Sequence, residues 1–309
     1  MRIKRFGGSG VLVLAFASAG LAASVPNAPD VTAQMVITVS PSQNRGQSTN
    51  LGKGDVTLFE NKTVVPVVGL QRMTGDLGAM QLFVLLDDST RSSSLGTQLP
   101  TLKKFIASLP STTQVAVGYM HNGTFALSQS FTTDHEKASS MVRLPVSLPG
   151  ENGSPYFVLS DLAKHWPSKE PTGRRAVLMC TDGVDRYYSS SIVDDPYVDA
   201  AKHDALKAGI MVYAVYLRGA GLYGRGGWLT TIAQSRLSEV SQETGGYAYF
   251  EGVADPVTIS PFLQDLQERF DNQYQLTFKP LSEKGIQPVK LKPEFPGLKV
   301  YGPEHIYVR

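Results

Sequence analysis

One cysteine in 309 residues leaves no internal disulfide to staple this chain. Cys180 lies in the apolar run AVLMC and reads as a small buried core residue. No stretch approaches the ~20 continuous apolar residues of a membrane helix, so no membrane span is expected in the mature chain. Charge of neither sign dominates: 29 Lys and Arg stand against 27 Asp and Glu, net +2. With no basic tract beyond the extreme N-terminus, nucleic acid is excluded as a partner. Neither G-x-S-x-G nor G-x-x-x-x-G-K-[ST] occurs in the mature chain. His135-Glu136 opens like the zinc motif H-E-x-x-H, but Ser139 stands where the second histidine is required.

What is present is an ordinary globular composition, 42% hydrophobic, long enough for one large domain and a smaller one. The first 24 residues carry three basic residues, an apolar stretch from Val11 to about Ala19 and small residues near Ala22 to Ser24. That is the pattern of a secretory signal, and it implies export to the periplasm or the extracellular space.

Residues 25–75 hold short β-type runs, MVITV, DVTLF and TVVPVVGL, the last two joined at ENK. From residue 76 to 270 the chain alternates apolar strands with amphipathic helices. QLFVLL, TQVAVGYM, RRAVLMC, IMVYAVYLR and YAYF read as strands; TLKKFIASL, DHEKASSMVRL, YFVLSDLAKHW, DPYVDAAKHDALKAG, LTTIAQSRLSEVSQET and PFLQDLQERF read as helices. TFALSQSF pairs back on TQVAVGYM through His121-Asn122-Gly123. The pattern predicts an α/β fold, a doubly wound and mostly parallel sheet with one antiparallel edge strand, Rossmann-like in its layering. Residues 271–309 return to β patterning, with prolines at 280, 288, 293 and 296 that predict short or edge strands; this segment and the N-terminal one could form a single small all-β unit.

In such a sheet, ligands bind where the parallel strands end. Asp87 closes QLFVLL, Asp182 follows AVLMC in TDG, and Ser154 sits in a glycine-flanked loop before a helix. Two carboxylates and hydroxyls from Ser89 and Ser154 suit a hard cation, Mg²⁺ or Mn²⁺, that keeps a position for an incoming acidic group. The plain alternative is that Asp87, Ser89 or Ser92 only caps the next helix.

The strand-DxSxS-helix pattern in LLDDSTRSSS, the Ser154 loop and strand-TDG together resemble a von Willebrand factor type A domain over about residues 80–270. The flanking β segments and TDGVD resemble in particular the exported VWFA-related proteins of acidobacteria. The resemblance implies a metal-ion-dependent adhesion site at Asp87, Ser89, Ser154 and Asp182, and a role in binding another protein through an acidic side chain. Arg91 stands where the second serine belongs. It either turns to solvent or pairs Asp87 and Asp182 in the metal's place. A frame shifted to Asp88, Thr90 and Ser92 is the other alignment.

GAGLYG, Gly219 to Gly224, follows a strand as a dinucleotide turn does, but the spacing to the next helix and to an acidic residue does not fit. It reads better as a rim loop presenting Tyr223, Arg225 and Trp228, beside Arg91, Tyr187 and Tyr188, to a partner. The expectation is therefore an exported, non-enzymatic recognition module without a nucleotide cofactor. A metal-free scaffold and a nicotinamide-dependent oxidoreductase acting through GAGLYG are its rivals.

Overall fold

The computed structural model describes residues 32–41, 51–148, 153–170, 172–188, 195–219, 226–281 and 284–308. The segment expected to be a signal, residues 1–24, lies outside the described residues, as do Tyr223 and Arg225. Four strands come first: Ala33–Pro41 (β1), Val56–Glu60 (β2), Thr63–Val65 (β3) and Val67–Arg72 (β4). The α/β body then runs Met80–Asp87 (β5), Ser92–Gly96 (α1), Leu99–Ala107 (α2), Thr113–His121 (β6), Thr124–Thr132 (β7), His135–Ser140 (α3), Pro155–Lys164 (α4) and Arg175–Thr181 (β8). It continues with Pro196–Ala208 (α5), Ile210–Tyr216 (β9), Gly226–Glu243 (α6), Tyr247–Tyr249 (β10) and Ser260–Asp271 (α7). Gln273–Phe278 (β11), Gly285–Pro293 (β12), Leu298–Tyr301 (β13) and His305–Val308 (β14) complete the described chain.

The central sheet has the order β10-β9-β8-β5-β6-β7, parallel throughout except for the β6/β7 hairpin at its edge. This is the predicted fold class, and its cause is visible strand by strand. Every side chain of β5 and β9 is buried, as two-sided coverage of a parallel sheet demands. Leu82, Val84 and Leu86 pack with residues of α2 and α7 on one face. Phe83 and Leu85 pack with residues of α4, α5 and α6 on the other. The β6/β7 turn is Asn122-Gly123, both at positive φ, the two-residue geometry that matches the strands' twist. Cys180 is buried here, and burial pushes its thiol up to about 12. Among the described residues no helix is long and apolar enough to cross a membrane.

The remaining strands form two four-stranded antiparallel sheets, β13-β1-β11-β4 and β14-β12-β2-β3. They share a core of residues that includes Ile37, Leu58, Leu276, Phe278 and Val308. Pro66 separates β3 from β4, which go to different sheets, so the run TVVPVVGL is two strands and not one. Of the tail strands, β11 is short and lies inside its sheet, with Pro280 beyond its end, whereas β12 pairs with β14 over its first half and with β2 over its second. Pro288 is tolerated in β12 because it falls where pairing passes from β14 to β2: it faces His305, and Val289 is the first residue opposite β2.

The helix expected over DHEKASSMVRL is also shorter, stopping at Ser140. Tyr119 Oη donates to Met141 O and accepts from Arg143 N, and Asp88 then accepts from Val146 N, so side chains take the backbone groups a further turn would use.

Candidate functional site

Because β5 and β8 are parallel and paired in register up to Leu86 and Cys180, the residues that follow both strands emerge together. Asp87 is 1% exposed and its carboxylate is fully engaged. Oδ1 accepts from Ser89 N at 3.0 Å and Ser89 Oγ at 2.8 Å, and Oδ2 accepts from Thr181 Oγ1 at 2.8 Å. Asp182 is equally buried. Its Oδ1 accepts from Val184 N at 3.0 Å, and Arg186 closes on it with Nη2 at 2.5 Å from Oδ2 and Nη1 at 3.4 Å from Oδ1.

The arginine on Asp182 is thus Arg186, four residues along the same loop, and not Arg91. Arg91 is half-buried at the N-cap of α1 in extended backbone. Sequence reading missed Arg186 because it scored the serine position of the first loop; the signal was the second half of TDGVDR. Gly183 makes the return possible. It sits at φ +66 with Leu237 and the Ala233 carbonyl where a Cβ would go, so the loop can turn back at this point.

Electrostatics follow from this packing. Burial, and then the neighbouring Asp182 charge, raise the Asp87 carboxyl to about 6 against the hydrogen bonds from Ser89 and Thr181. Burial opposes the Arg186 charge, yet Asp182 together with Asp87 and Asp185 more than offsets it, so the guanidinium is held above its ordinary range. Two buried carboxylates and one guanidinium share the site.

Ser154 does not join Asp87. Its hydroxyl donates to Asp185 Oδ2 at 2.7 Å and accepts from Phe157 N, capping α4. Asp185, which sequence reading did not single out, also accepts from Tyr187 N and Tyr188 N, each at 2.9 Å. It ties the loop after β8 to the start of α4. The shifted frame fails: Asp88 points away to Arg143 at 2.6 Å, and Thr90 Oγ1 donates to the Asp87 carbonyl.

Gly219, the first residue of GAGLYG, has a specific use. A Cβ there would lie 1.7 Å from Asp182 Oδ2, so only glycine lets the loop after β9 lie on that carboxylate. The same residue bridges to Thr90, which joins the loops after β5 and β9. Residues 220–225 lie outside the described residues. Trp228, in the first turn of α6, is 53% exposed and Tyr187 is 55% exposed. Phe157 meets Tyr187 edge-on at 5.6 Å and a tilted Tyr197 at 4.4 Å, and Tyr188 meets Tyr197 edge-on at 6.2 Å, forming a continuous aromatic patch beside the aspartate loops.

As arranged, these residues do not fit a divalent cation. Arg186 covers Asp182, Gly219 backs it, Ser154 is committed to Asp185, and both Asp87 oxygens accept from neighbouring donors. Among the described residues no group of three or more His, Cys, Asp or Glu side chains gathers in one place as a carboxylate-rich or imidazole-rich metal centre does. What the arrangement offers instead is a part-exposed guanidinium, charge-balanced from beneath, on a rim lined with aromatic rings.

No protein-family model and no curated protein matches the sequence. Several solved structures are similar. An aerotolerance-related membrane protein from Bacteroides fragilis is 14% identical, with 62% of this chain and 98% of that one covered and a TM-score of 0.41. BatB from Bacteroides thetaiotaomicron is 14% identical over 61% of this chain and 96% of that one, with a TM-score of 0.41. The SpRpn10 VWA domain is 9% identical over 61% and 95%, with a TM-score of 0.40. At such scores the likeness decides nothing by itself, and what the chain's own strand order establishes is the fold class: an α/β body built on a mostly parallel sheet with one antiparallel edge strand.

Proposed function

We propose that this chain is an exported, non-enzymatic recognition module that docks another protein on the rim where β5, β8 and β9 end. The observation that carries the reading is the Asp182–Arg186 ion pair beside Asp87: a tethered guanidinium supplies the positive charge that a divalent ion supplies in a metal-ion-dependent adhesion site. A carboxylate from the partner would meet Arg186 as a charge-assisted hydrogen-bond acceptor. Tyr187, Phe157 and Trp228 provide the exposed aromatic area that anchors interfaces. Export directed by the signal-like pattern of residues 1–24 would have that partner meet the chain in the periplasm or outside the cell.

A second reading keeps the cation. Asp87 and Asp182 are a buried like-charge pair, the kind a metal relieves, and Arg186 would have to leave Asp182 first.

Immobilised mature chain, challenged with exported proteins by cross-linking, separates these readings. Capture is expected to be equal in Mg²⁺ and in chelator, and to fall at least tenfold in Tyr187→Ala/Trp228→Ala, each ring contributing about 2 kcal/mol. Capture lost in chelator would favour the cation. Capture indifferent to the rim would make the α/β body a rigid scaffold whose contacts run through the β segments.

A further inference from the structure

At the opposite end of the sheet a cavity of about 320 Å³ lies where β5, β6 and β8 begin and α7 ends. Its walls include Arg72, Arg174, Thr74, Gln267, Phe270 and Asp271. That volume is at the lower end of small-molecule sites.

Arg174 is only 4% exposed. Its Nη1 donates to Gly78 O at 3.0 Å and Nη2 to Phe270 O at 2.9 Å, while Nε has no hydrogen-bond partner. Neither acceptor is a carboxylate. Burial pulls its guanidinium down to about 10, and Tyr213 and Asp271 offset that only in part. Arg72 reaches the same wall, donating through Nη2 to Asp271 O at 3.0 Å and Asn272 Oδ1 at 3.3 Å. The one carboxylate on the lining, Asp271, accepts from Gln267 Nε2 at 2.9 Å. The carbonyls at the end of α7 bring only about half a unit of negative charge to the buried Arg174 guanidinium.

We infer that this cavity is a binding site for a small oxyanion, a phosphate or carboxylate group, held by Arg174 and Arg72 at the base of the α/β body. Guanidinium groups match both oxyanions through paired N–H donors, and the threonine and glutamine side chains on the wall add neutral ones. The site is separate from the strand-end rim and does not depend on how the rim is read.

Calorimetric titration of the mature chain with inorganic phosphate and with malonate, at constant ionic strength, tests it. Saturable binding of either anion in the millimolar range is expected. Asp271→Asn removes the competing carboxylate and should tighten binding about fivefold, while Arg72→Gln should weaken it by a similar factor. Asp271 is exposed, so its variant leaves the fold intact and keeps the test open where an Arg174 variant would not fold. Heats no larger than those of chloride at equal ionic strength, in both wild type and Asp271→Asn, would overturn the inference and leave Arg174 a helix-capping arginine only.

Discussion

Replacing Arg186 with glutamine is expected to destabilise the protein by about 3 kcal/mol at pH 8. Asp182 would keep Val184 N and lose both guanidinium contacts, with its side chain 2% exposed and Asp87 ionised beside it. Removing one partner of a buried pair leaves an uncompensated charge; because Arg186 is itself part-exposed, water can enter and the loss falls at the low end of the range. Lysine restores only part of it, since a point charge cannot span Oδ1 and Oδ2 as the fork does. Urea unfolding at pH 8 and pH 5 checks the cause as well as the size. The deficit should shrink at pH 5, where Asp87 takes up a proton and the site holds one negative charge fewer. A deficit equal at both pH values would mean that Arg186 acts by packing alone.

Asp87→Asn has the opposite sign: the variant should be more stable than wild type above pH 7, by about 2 kcal/mol. The Asp87 carboxyl binds its proton more tightly when folded, at about 6 against an ordinary 3.8. The folded state therefore holds more protons than the unfolded one between those values, and stability from this group falls as pH rises from about 4 to about 6, then stays level. The full difference is about 3 kcal/mol. Asparagine removes the repulsion from Asp182 and still accepts from Ser89. Its amide must now face Thr181 Oγ1, which already accepts from Gly183 N, and this mismatch returns about 1 kcal/mol. The readout is the difference in unfolding free energy between wild type and variant across pH 4 to 8, which cancels every other titrating group. A variant less stable than wild type at pH 8 would show that the Asp87 charge is needed, as a metal ligand's is.

Much of the fold was legible because burial on both faces leaves a plain mark: FVLL, AVLMC and IMVYAVY contain almost nothing polar, and each ends at the same edge of the sheet. The Asn122-Gly123 turn and the Gly209 helix end, at φ +66, were equally readable because their backbone angles need those residues. Position along the chain also brought Asp87 and Asp182 together. Pairing inside the loops was not legible. Which of Asp87 and Asp88 faces the site depends on Arg143, 55 residues on, taking Asp88. The partner of Ser154 is Asp185, 31 residues later, and nothing in the serine's own loop reveals it. Gly219 opens a run that imitates a dinucleotide turn; its contact with Asp182 exists only once β8 and β9 lie side by side.

Metal content of the purified protein, measured together with thermal unfolding in Mn²⁺ and in chelator, bears most directly on the arginine-balanced rim. Less than a tenth of an equivalent of divalent metal and an unchanged midpoint in both conditions are predicted for the wild type. One equivalent of Mg²⁺ or Mn²⁺ per chain, with a midpoint that drops on chelation, would contradict it.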